Sequence, residues 1–181
     1  HVVRSMRSSG DTVMLEVRVG TIPVYAHGDV WTLQANPPKH RAVTASRADL
    51  AAMLVLGEAD IAPDPAAPPL WVDTGSEQLI IPLASAEAVR RAAPRADLIL
   101  AHGHTGQRAM AYVFAPDPQR DASDGTRAFV SRFFFPKHGA VIEDPGTGSV
   151  CANLGGWLIA TNAPLPQRLA IAQGGALGRP C

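Results

Sequence analysis

The feature that most constrains the fold is a polar, glycine-rich turn that runs directly into an apolar segment. The turn occupies residues 143–149 (EDPGTGS), and residues 150–160 (VCANLGGWLIA) follow it with almost no polar side chain. A helix that is apolar on every side is typical of a buried position. The sequence therefore predicts a wholly buried helix of about three turns, which Asn162 and Pro164 end.

Strand patterns outnumber helical ones in the rest of the chain. Short apolar runs bounded by glycine, proline and aspartate are typical of strands. They predict strands at residues 12–19, 22–25, 30–35, 70–73, 79–83, 97–101, 109–114, 127–135 and 167–173. Ser46 and Ser85 are good N-caps and predict two short helices, the first ended by Gly57. The expected fold class is α/β (α+β), a curved, mostly antiparallel sheet wrapped around the buried central helix.

The small residues of that helix carry two further expectations. Gly155 and Gly156 each cost roughly 1 kcal/mol of helix propensity relative to alanine, so we expect strands to pack closely against them. Cys151 lies one turn into the helix and is predicted to be a small core residue.

Composition and charge exclude several classes of function. Sixteen basic residues balance sixteen acidic ones, so no net field favours nucleic acid or an anionic membrane as a partner. No apolar run reaches the roughly 18 residues that span a bilayer, and we find no signal-peptide pattern. With only two cysteines, we expect a reduced, cytoplasmic setting. A strand pattern at residues 13–19 and a turn pattern at residues 178–181 lie close to the two ends. They predict that further segments precede and follow this sequence.

The glycine-rich turn is suited to an anionic ligand. The first N–H groups of a helix lack partners, and the macrodipole adds partial positive charge there. Gly146 and Gly148 let that backbone approach a carboxylate closely, and Ser149 adds a hydroxyl donor. Asp144 can accept from a ligand amine or hydroxyl, or exchange a proton. The alternative is that Asp144 serves only as a capping residue of a tight turn that binds no ligand.

Three motifs in order carry a resemblance to a known family. They are Arg132-Phe133-Phe134-Phe135-Pro136, the turn at residues 143–149, and Gln173-Gly174 with Gly178-Arg179-Pro180. Together they resemble the phenazine-biosynthesis, PhzF-like family, from about residue 12 to the end. Gly146 stands where the family has alanine, Val150 where it has a second alanine, and Cys181 where it has serine. The segments 72–76 and 79–83 also resemble the family's strand–turn–strand.

The resemblance implies a diaminopimelate-epimerase-like fold with two similar domains and the active site between them. Residues 1–40 would be the end of the N-terminal domain or its crossing strands, and residues 41–181 the C-terminal domain. The implied function is an isomerase that moves a proton on a small carboxylate-bearing metabolite, with no metal or organic cofactor, in a homodimer. The implied catalytic residues are Asp144 and Ser149, and the implied substrate-binding residues are Gly146, Thr147, Gly148, Gly75 and Ser76.

Departures from the family leave alternatives open. The family's proton-shuttling Glu and its histidine motif belong to the N-terminal domain, and this sequence contains no matching Glu motif. The chain alone is therefore predicted not to catalyse the isomerisation. The alternative to the isomerase function is a relic or binding domain that dimerises without catalysis. An amino-acid epimerase or racemase of the same fold is a further alternative, but it needs a thiol where Gly146 stands.

A metal site is not expected from the histidines. His102 and His104 would lie on one face of a predicted strand, but no third ligand has suitable spacing. They are interpreted as a loop or surface pair.

Overall fold

A computed structural model describes residues 11–17, 20–63, 65, 67–106 and 108–181. The chain divides into two compact units, His1–Asn36 and Pro37–Cys181. The assignment of residues 1–40 and 41–181 to the two domains of the family stays a prediction.

The described part of the first unit is a three-stranded antiparallel meander. Its strands are β1 (Thr12–Val17), β2 (Gly20–His27) and β3 (Val30–Leu33). Thr12 pairs with Tyr25, and His27 pairs with Val30 across a tight turn that contains Gly28. The predicted meander is confirmed, except that residues 18 and 19 lie outside the described residues.

The described residues of the second unit form one seven-stranded sheet and four α-helices. The strands are β4 (Lys39–Ala42), β5 (Leu70–Asp73), β6 (Gln78–Pro82), β7 (Ala111–Pro116), β8 (Arg127–Lys137), β9 (Ala140–Asp144) and β10 (Leu169–Ala172). The helices are α1 (Arg47–Leu54), α2 (Ala86–Arg91), α3 (Ala96–His102) and α4 (Gly148–Ala160). The mixed α+β class is confirmed.

The sheet order is β10-β8-β7-β6-β5-β4, and β9 also pairs with β8. Pairs β6–β7 and β8–β10 are parallel and the others are antiparallel. Strand β8 is long enough to hold two partners along one edge, β10 at its beginning and β9 at its end. Helix α4 contacts β4, β5 and β6, whereas α2 packs on β7 and β8 and α3 packs on β8 and α1.

Helix α1 begins as the sequence predicts and ends earlier. The Ser46 side chain accepts the Asp49 N–H, and Asp49 accepts the Ser46 N–H, which forms a capping box. The helix ends at Leu54, and Val55 takes a left-handed conformation with φ 55°. The expectation that Gly57 ends it is therefore wrong; Gly57 precedes a short 3-10 turn at Glu58–Asp60.

The predicted strand at residues 97–101 is wrong, because these residues lie in α3. A five-residue apolar run does not distinguish a strand from a buried helix, and here the run packs against α1 and β8. His102 is the last residue of α3 and His104 lies in the following turn, so the two do not share a strand face. Strand β4, directly after Pro37 and Pro38, was not predicted.

Helix α4 is buried on one side only. Its buried residues are Val150, Asn153, Leu154, Gly156, Trp157 and Leu158. Cys151 and Ile159 are exposed, the latter at 52%, so the predictions of a wholly buried helix and a core Cys151 are wrong. A side chain on Gly156 would lie 2.8 Å from Pro38 Cβ and 2.9 Å from Val72 Cγ1, whereas one on Gly155 would meet nothing within 4 Å. The expected close approach holds for Gly156 alone.

None of the helices in the described part of the chain has the length and hydrophobicity that a bilayer-spanning helix needs.

Candidate functional site

The turn that the sequence singles out joins the end of β9 to the start of α4. Asp144 is the last residue of β9, Thr147 is the N-cap of α4, and Gly148 and Ser149 begin the helix. The predicted site residues of this motif thus lie between β9, which belongs to the sheet, and α4, which packs against the sheet.

The carboxylate of Asp144 shapes this turn. Its Oδ2 accepts the Thr147 hydroxyl at 2.7 Å, and its Oδ1 accepts the Gly146 N–H at 3.3 Å. Gln173 Nε2 donates to the Asp144 carbonyl at 2.8 Å and to Thr147 Oγ1 at 3.2 Å. The Thr147 hydroxyl therefore both donates and accepts within the turn. Asp144 keeps further lone pairs for a ligand, since an ionised carboxylate has about four acceptor positions.

The N-terminus of α4 presents free backbone donors. Thr147 makes no side-chain hydrogen bond to the helix. In the described part of the chain, the N–H groups of Gly148 and Ser149 have no hydrogen-bond partner. A side chain added to Gly148 would meet no atom within 4 Å, so the space beside the Gly148 backbone is open. This arrangement suits an anion, for which the helix macrodipole adds favourable potential.

A buried polar network fixes the orientation of Ser149. Asn153 Oδ1 accepts the Thr74 N–H at 2.9 Å, so its Nδ2 is the donor to Gln78 Oε1 at 2.6 Å. Gln78 must then donate through Nε2, and it does so to Ser149 Oγ at 3.1 Å. Because the Ser149 hydroxyl accepts this bond, its own hydrogen is left to donate elsewhere.

The second predicted turn, at residues 74–78, is joined to the same network. Asn153 Nδ2 also donates to the Ser76 carbonyl at 2.8 Å. The Gly75 N–H donates to Asp73 Oδ1 at 2.7 Å, and Gly75 has φ 132°, a conformation that favours glycine. The Ser76 hydroxyl accepts from Arg108 at 2.8 Å. The structure therefore brings Gly75 and Ser76 to the first two turns of α4.

Sequence reasoning assigned no role in the site to four residues of this region, Asn153, Gln78, Gln173 and Arg108, although Gln173 belongs to the third motif. Two of them carried a signal. Asn153 is an amide inside an apolar helix, and Gln78 directly precedes an apolar run; both are buried. A buried amide needs hydrogen-bond partners, so each indicated a polar network. Gln173 and Arg108 gave no comparable indication of their partners.

The third motif packs against the first. Gln173 and Cys181 exchange two backbone hydrogen bonds, at 3.1 and 2.9 Å. A side chain on Gly174 would collide with the carbonyl oxygens of Arg179 and Pro145, and one on Gly146 would lie 2.9 Å from Cys181 Sγ. Gly146 and Cys181, two of the three departures from the family pattern, therefore lie against each other.

Arg132 and Glu143 have a structural role. Arg132 pairs with both carboxylate oxygens of Glu143, at 3.1 and 2.7 Å, and both side chains are largely buried. The Arg132 NH1 group also donates to three carbonyl oxygens at the end of α2, those of Val89, Arg90 and Ala92. The pair fastens α2 to the sheet, on the face away from the turn.

Neither the histidines nor the cysteines form a second site. Across the residues that the structure describes, no three His, Cys, Asp or Glu side chains group as metal ligands do. Burial raises the pKa of the Cys151 thiol above its ordinary value, although part of the residue is exposed. That shift disfavours the thiolate.

Two of the cavities in the described part of the chain are lined by residues of the sheet. One of about 480 Å³ lies at the far end of α4, lined mainly by apolar residues around Trp157 and Phe129. The other, of about 450 Å³, is joined to the turn at residues 74–78 by Arg108, which lines it and donates to Ser76. Its lining residues are Leu100, His104, Arg108, Ala109, Met110, Phe133, Phe135 and Pro136.

Comparison with solved structures establishes the fold. A phenazine biosynthesis protein of the PhzF family from Bacillus anthracis has a TM-score of 0.79 at 16% identity, over 99% of this chain and 60% of that chain. A predicted epimerase from Pseudomonas aeruginosa has a TM-score of 0.69 at 20% identity, over 99% and 61% of the two chains. The expected epimerase-type fold is confirmed.

Sequence comparison gives the same family. An uncharacterized isomerase of Pasteurella multocida (strain Pm70) is 30% identical over an alignment of 181 residues. The alignment covers 94% of this chain and 53% of the relative. The chain thus spans about half the length of that relative. The model of the phenazine biosynthesis-like protein family (PhzC-PhzF) matches residues 1–181. Because this model covers the whole chain, the chain belongs to the phenazine biosynthesis-like protein family.

Proposed function

We propose that this chain supplies the carboxylate-binding half of an isomerase site, in which a proton moves on a small carboxylate-bearing metabolite without a metal or organic cofactor. The observation that carries the proposal is the orientation of Ser149. Its hydroxyl accepts from Gln78, so it is set to donate in the region where the N–H groups of Gly148 and Ser149 are free. Three donors at a helix N-terminus match a carboxylate.

The chemistry follows from charge development at that carboxylate. Removing a proton next to a carboxylate or a conjugated system places negative charge on the ligand oxygens. Fixed donors stabilise that charge more strongly in the transition state than in the ground state. Asp144, whose carboxylate is held by the Thr147 hydroxyl and the Gly146 N–H, would hold a substrate amine or hydroxyl and so orient the bond that loses its proton.

The remaining half of the site would come from a domain that this sequence does not contain. The relative from Pasteurella multocida is about twice as long as the matched region, and in the family the proton-shuttling Glu belongs to the preceding domain. We therefore expect the chain alone to bind carboxylates and not to exchange substrate protons. Cytoplasmic location and a homodimer remain predictions.

The alternatives have less support. A two-thiol racemase needs reactive thiols on the site turn, but Cys151 lies one turn into α4 with a raised thiol pKa. A relic domain without ligand binding would not need the network in which Ser149 accepts from Gln78 and keeps its own hydrogen to donate, since a buried apolar contact would hold α4 as well.

The test is carboxylate binding by the purified chain, with phenylacetate as the probe and NMR titration as the measurement. Ser149→Ala removes one charge-assisted donor and is expected to weaken binding about tenfold; it should also lower the melting temperature somewhat, because Gln78 Nε2 loses its acceptor. Ser123→Ala is the matched control, because Ser123 lies in an exposed turn outside this network; it should leave binding unchanged.

Two results would contradict the proposal. Equal affinity in the Ser149→Ala variant and the unaltered chain would show that the turn does not bind the carboxylate. Proton exchange on a metabolite by the 181-residue chain alone, with metal removed by chelation, would show that the site is already complete.

A further inference from the structure

The cavity of about 450 Å³ that Arg108 joins to the turn at residues 74–78 has the size of a ligand pocket. Its walls are largely apolar. Phe133 and Phe135 have ring centroids 6.2 Å apart at an interplanar angle of 44°, and Met110 is almost fully buried. Such walls favour the apolar part of a ligand.

The cavity adjoins the carboxylate-binding turn. Phe133 on β8 lies directly opposite Asp144 on β9 in the antiparallel ladder. Residues directly opposite each other in such a ladder place their side chains on the same face, with Cβ atoms about 5 Å apart. One wall of the cavity is therefore the nearest cross-strand neighbour of Asp144, so a ligand held at the turn can extend over Phe133.

Arg108 gives the cavity a positive charge that the protein does not neutralise. Its lining contains no acidic residue. Among the described residues, the Arg108 guanidinium donates to the neutral Ser76 hydroxyl, and Arg108 forms no ion pair. The acidic residue next to Ser76 is Glu77, and both its carboxylate oxygens are engaged by Arg41, at 2.7 and 2.9 Å. An arginine in this position is available for a ligand anion.

Arg108 is also linked to the carboxylate-binding network. Ser76, which accepts from Arg108, offers its carbonyl oxygen to Asn153, and Asn153 orients Gln78 and through it Ser149. Arg108 and Ser149 therefore belong to one chain of hydrogen bonds.

We propose that this cavity binds the end of the substrate that lies away from the turn, and that this end has an apolar body and a second anionic group paired with Arg108. The inference rests on the proposed function, because the first carboxylate must occupy the turn. It narrows the substrate class to small dianions, a dicarboxylate or a carboxylate that also bears another anionic group, with an apolar or planar spacer.

Two probes that share a ring separate the two contacts. Phenylacetate has one carboxylate, and 1,4-phenylenediacetate has a second at the opposite end of the ring. The purified 181-residue chain is expected to bind the dianion about tenfold more tightly than the monoanion, since a hydrogen-bonded ion pair is added. Arg108→Gln should reduce that ratio to about two, the statistical advantage of a probe with two equivalent carboxylates, because it weakens 1,4-phenylenediacetate far more than phenylacetate. Arg168→Gln, at a highly exposed arginine, controls for general charge and should keep the full ratio.

The outcomes distinguish the second anion site from the proposed carboxylate binding at the turn. Ser149→Ala should weaken both probes equally and preserve their ratio. A ratio of about two or less in the unaltered chain, or a tenfold preference that persists in Arg108→Gln, would overturn the second anion site and leave the carboxylate turn standing. If neither probe binds the unaltered chain, both proposals fail together. Melting temperatures of the variants establish that each is folded.

Discussion

Glu143 and Asp144 are consecutive carboxylates at the end of β9, and their side chains lie on opposite faces of the sheet. Glu143 is largely buried and pairs with Arg132 beneath α2. Asp144 is half-buried and shapes the turn that begins α4. Neighbours in the sequence thus serve two different purposes: one fastens the scaffold and the other belongs to the candidate site.

This difference shows that residues of one family motif can have different roles, and that not all of them belong to the site. Side chains alternate between the two faces of a strand, so a run of adjacent residues that identifies a family is divided between the two sides of the sheet. In β8 the same alternation directs Arg132 towards α2 and Phe133 towards the candidate site. The scaffold residues should govern stability, and the site residues should govern binding.

The largest expected effect lies on the scaffold face. Arg132→Met leaves the Glu143 carboxylate buried without its partner and removes the donor to three α2 carbonyl oxygens. Breaking a buried ion pair in this way costs about 3–5 kcal/mol. Denaturant unfolding is expected to show a loss of that size in the free energy of unfolding.

The same substitution at an exposed pair gives the control. Arg168→Met breaks the pair with Asp124, in which both side chains are mostly exposed, and should leave the free energy of unfolding nearly unchanged. A comparable small loss for Arg132→Met would show that the two faces do not divide stability and binding as described.

An intermediate effect is expected where α4 meets the sheet. Gly156→Ala places a methyl group 2.8 Å from Pro38 Cβ and 2.9 Å from Val72 Cγ1. Overpacking costs about 1–3 kcal/mol and alanine regains about 1 kcal/mol of helix propensity, so we expect a net loss of about 1 kcal/mol. Gly155→Ala, with open space around the new methyl group, should stabilise the chain by up to about 1 kcal/mol. Equal thermal shifts for both variants would contradict the one-sided packing of α4.

The smallest expected effect concerns the turn at residues 74–78. The Arg41 guanidinium hydrogen-bonds to Glu77 and holds the pKa of that carboxyl below its ordinary value. A lowered folded-state pKa means that the stabilisation is present above about pH 4.3, the ordinary value for Glu, and is lost as the pH falls through the folded-state pKa. Glu77→Gln should therefore lower the free energy of unfolding by under about 1 kcal/mol at pH 7, and this difference should vanish at strongly acidic pH.

The design keeps the pH effect separate from packing. Glu77→Gln retains Arg41, whose guanidinium lies 4.6 Å from the Trp71 ring centroid. Glu58→Gln, at an exposed residue of the 3-10 turn, is the comparison. A pH-independent loss in Glu77→Gln would show that the residue contributes through contacts alone.

Strong local patterns were sufficient for much of the fold. The capping box at Ser46, the short strands beside the turn at residues 74–78 and the long strand through the three phenylalanines are each encoded within a few residues. Local sequence did not encode the structure of residues 97–101, because their apolar side chains fit a strand and a helix equally well. Packing against α1 and β8 selected the helix.

The sequence by itself determined the polar turn, its helix and the glycines that let the backbone approach a ligand, because these depend on local conformation and on hydrogen bonds between near neighbours. Only the tertiary structure decided that Gly156 and not Gly155 is closely packed, and that Cys151 lies on the exposed side. It also decided that Asn153, Gln78 and Arg108 meet at the site. Those contacts join residues far apart in the chain, and strand pairing, which local patterns do not specify, brings them together.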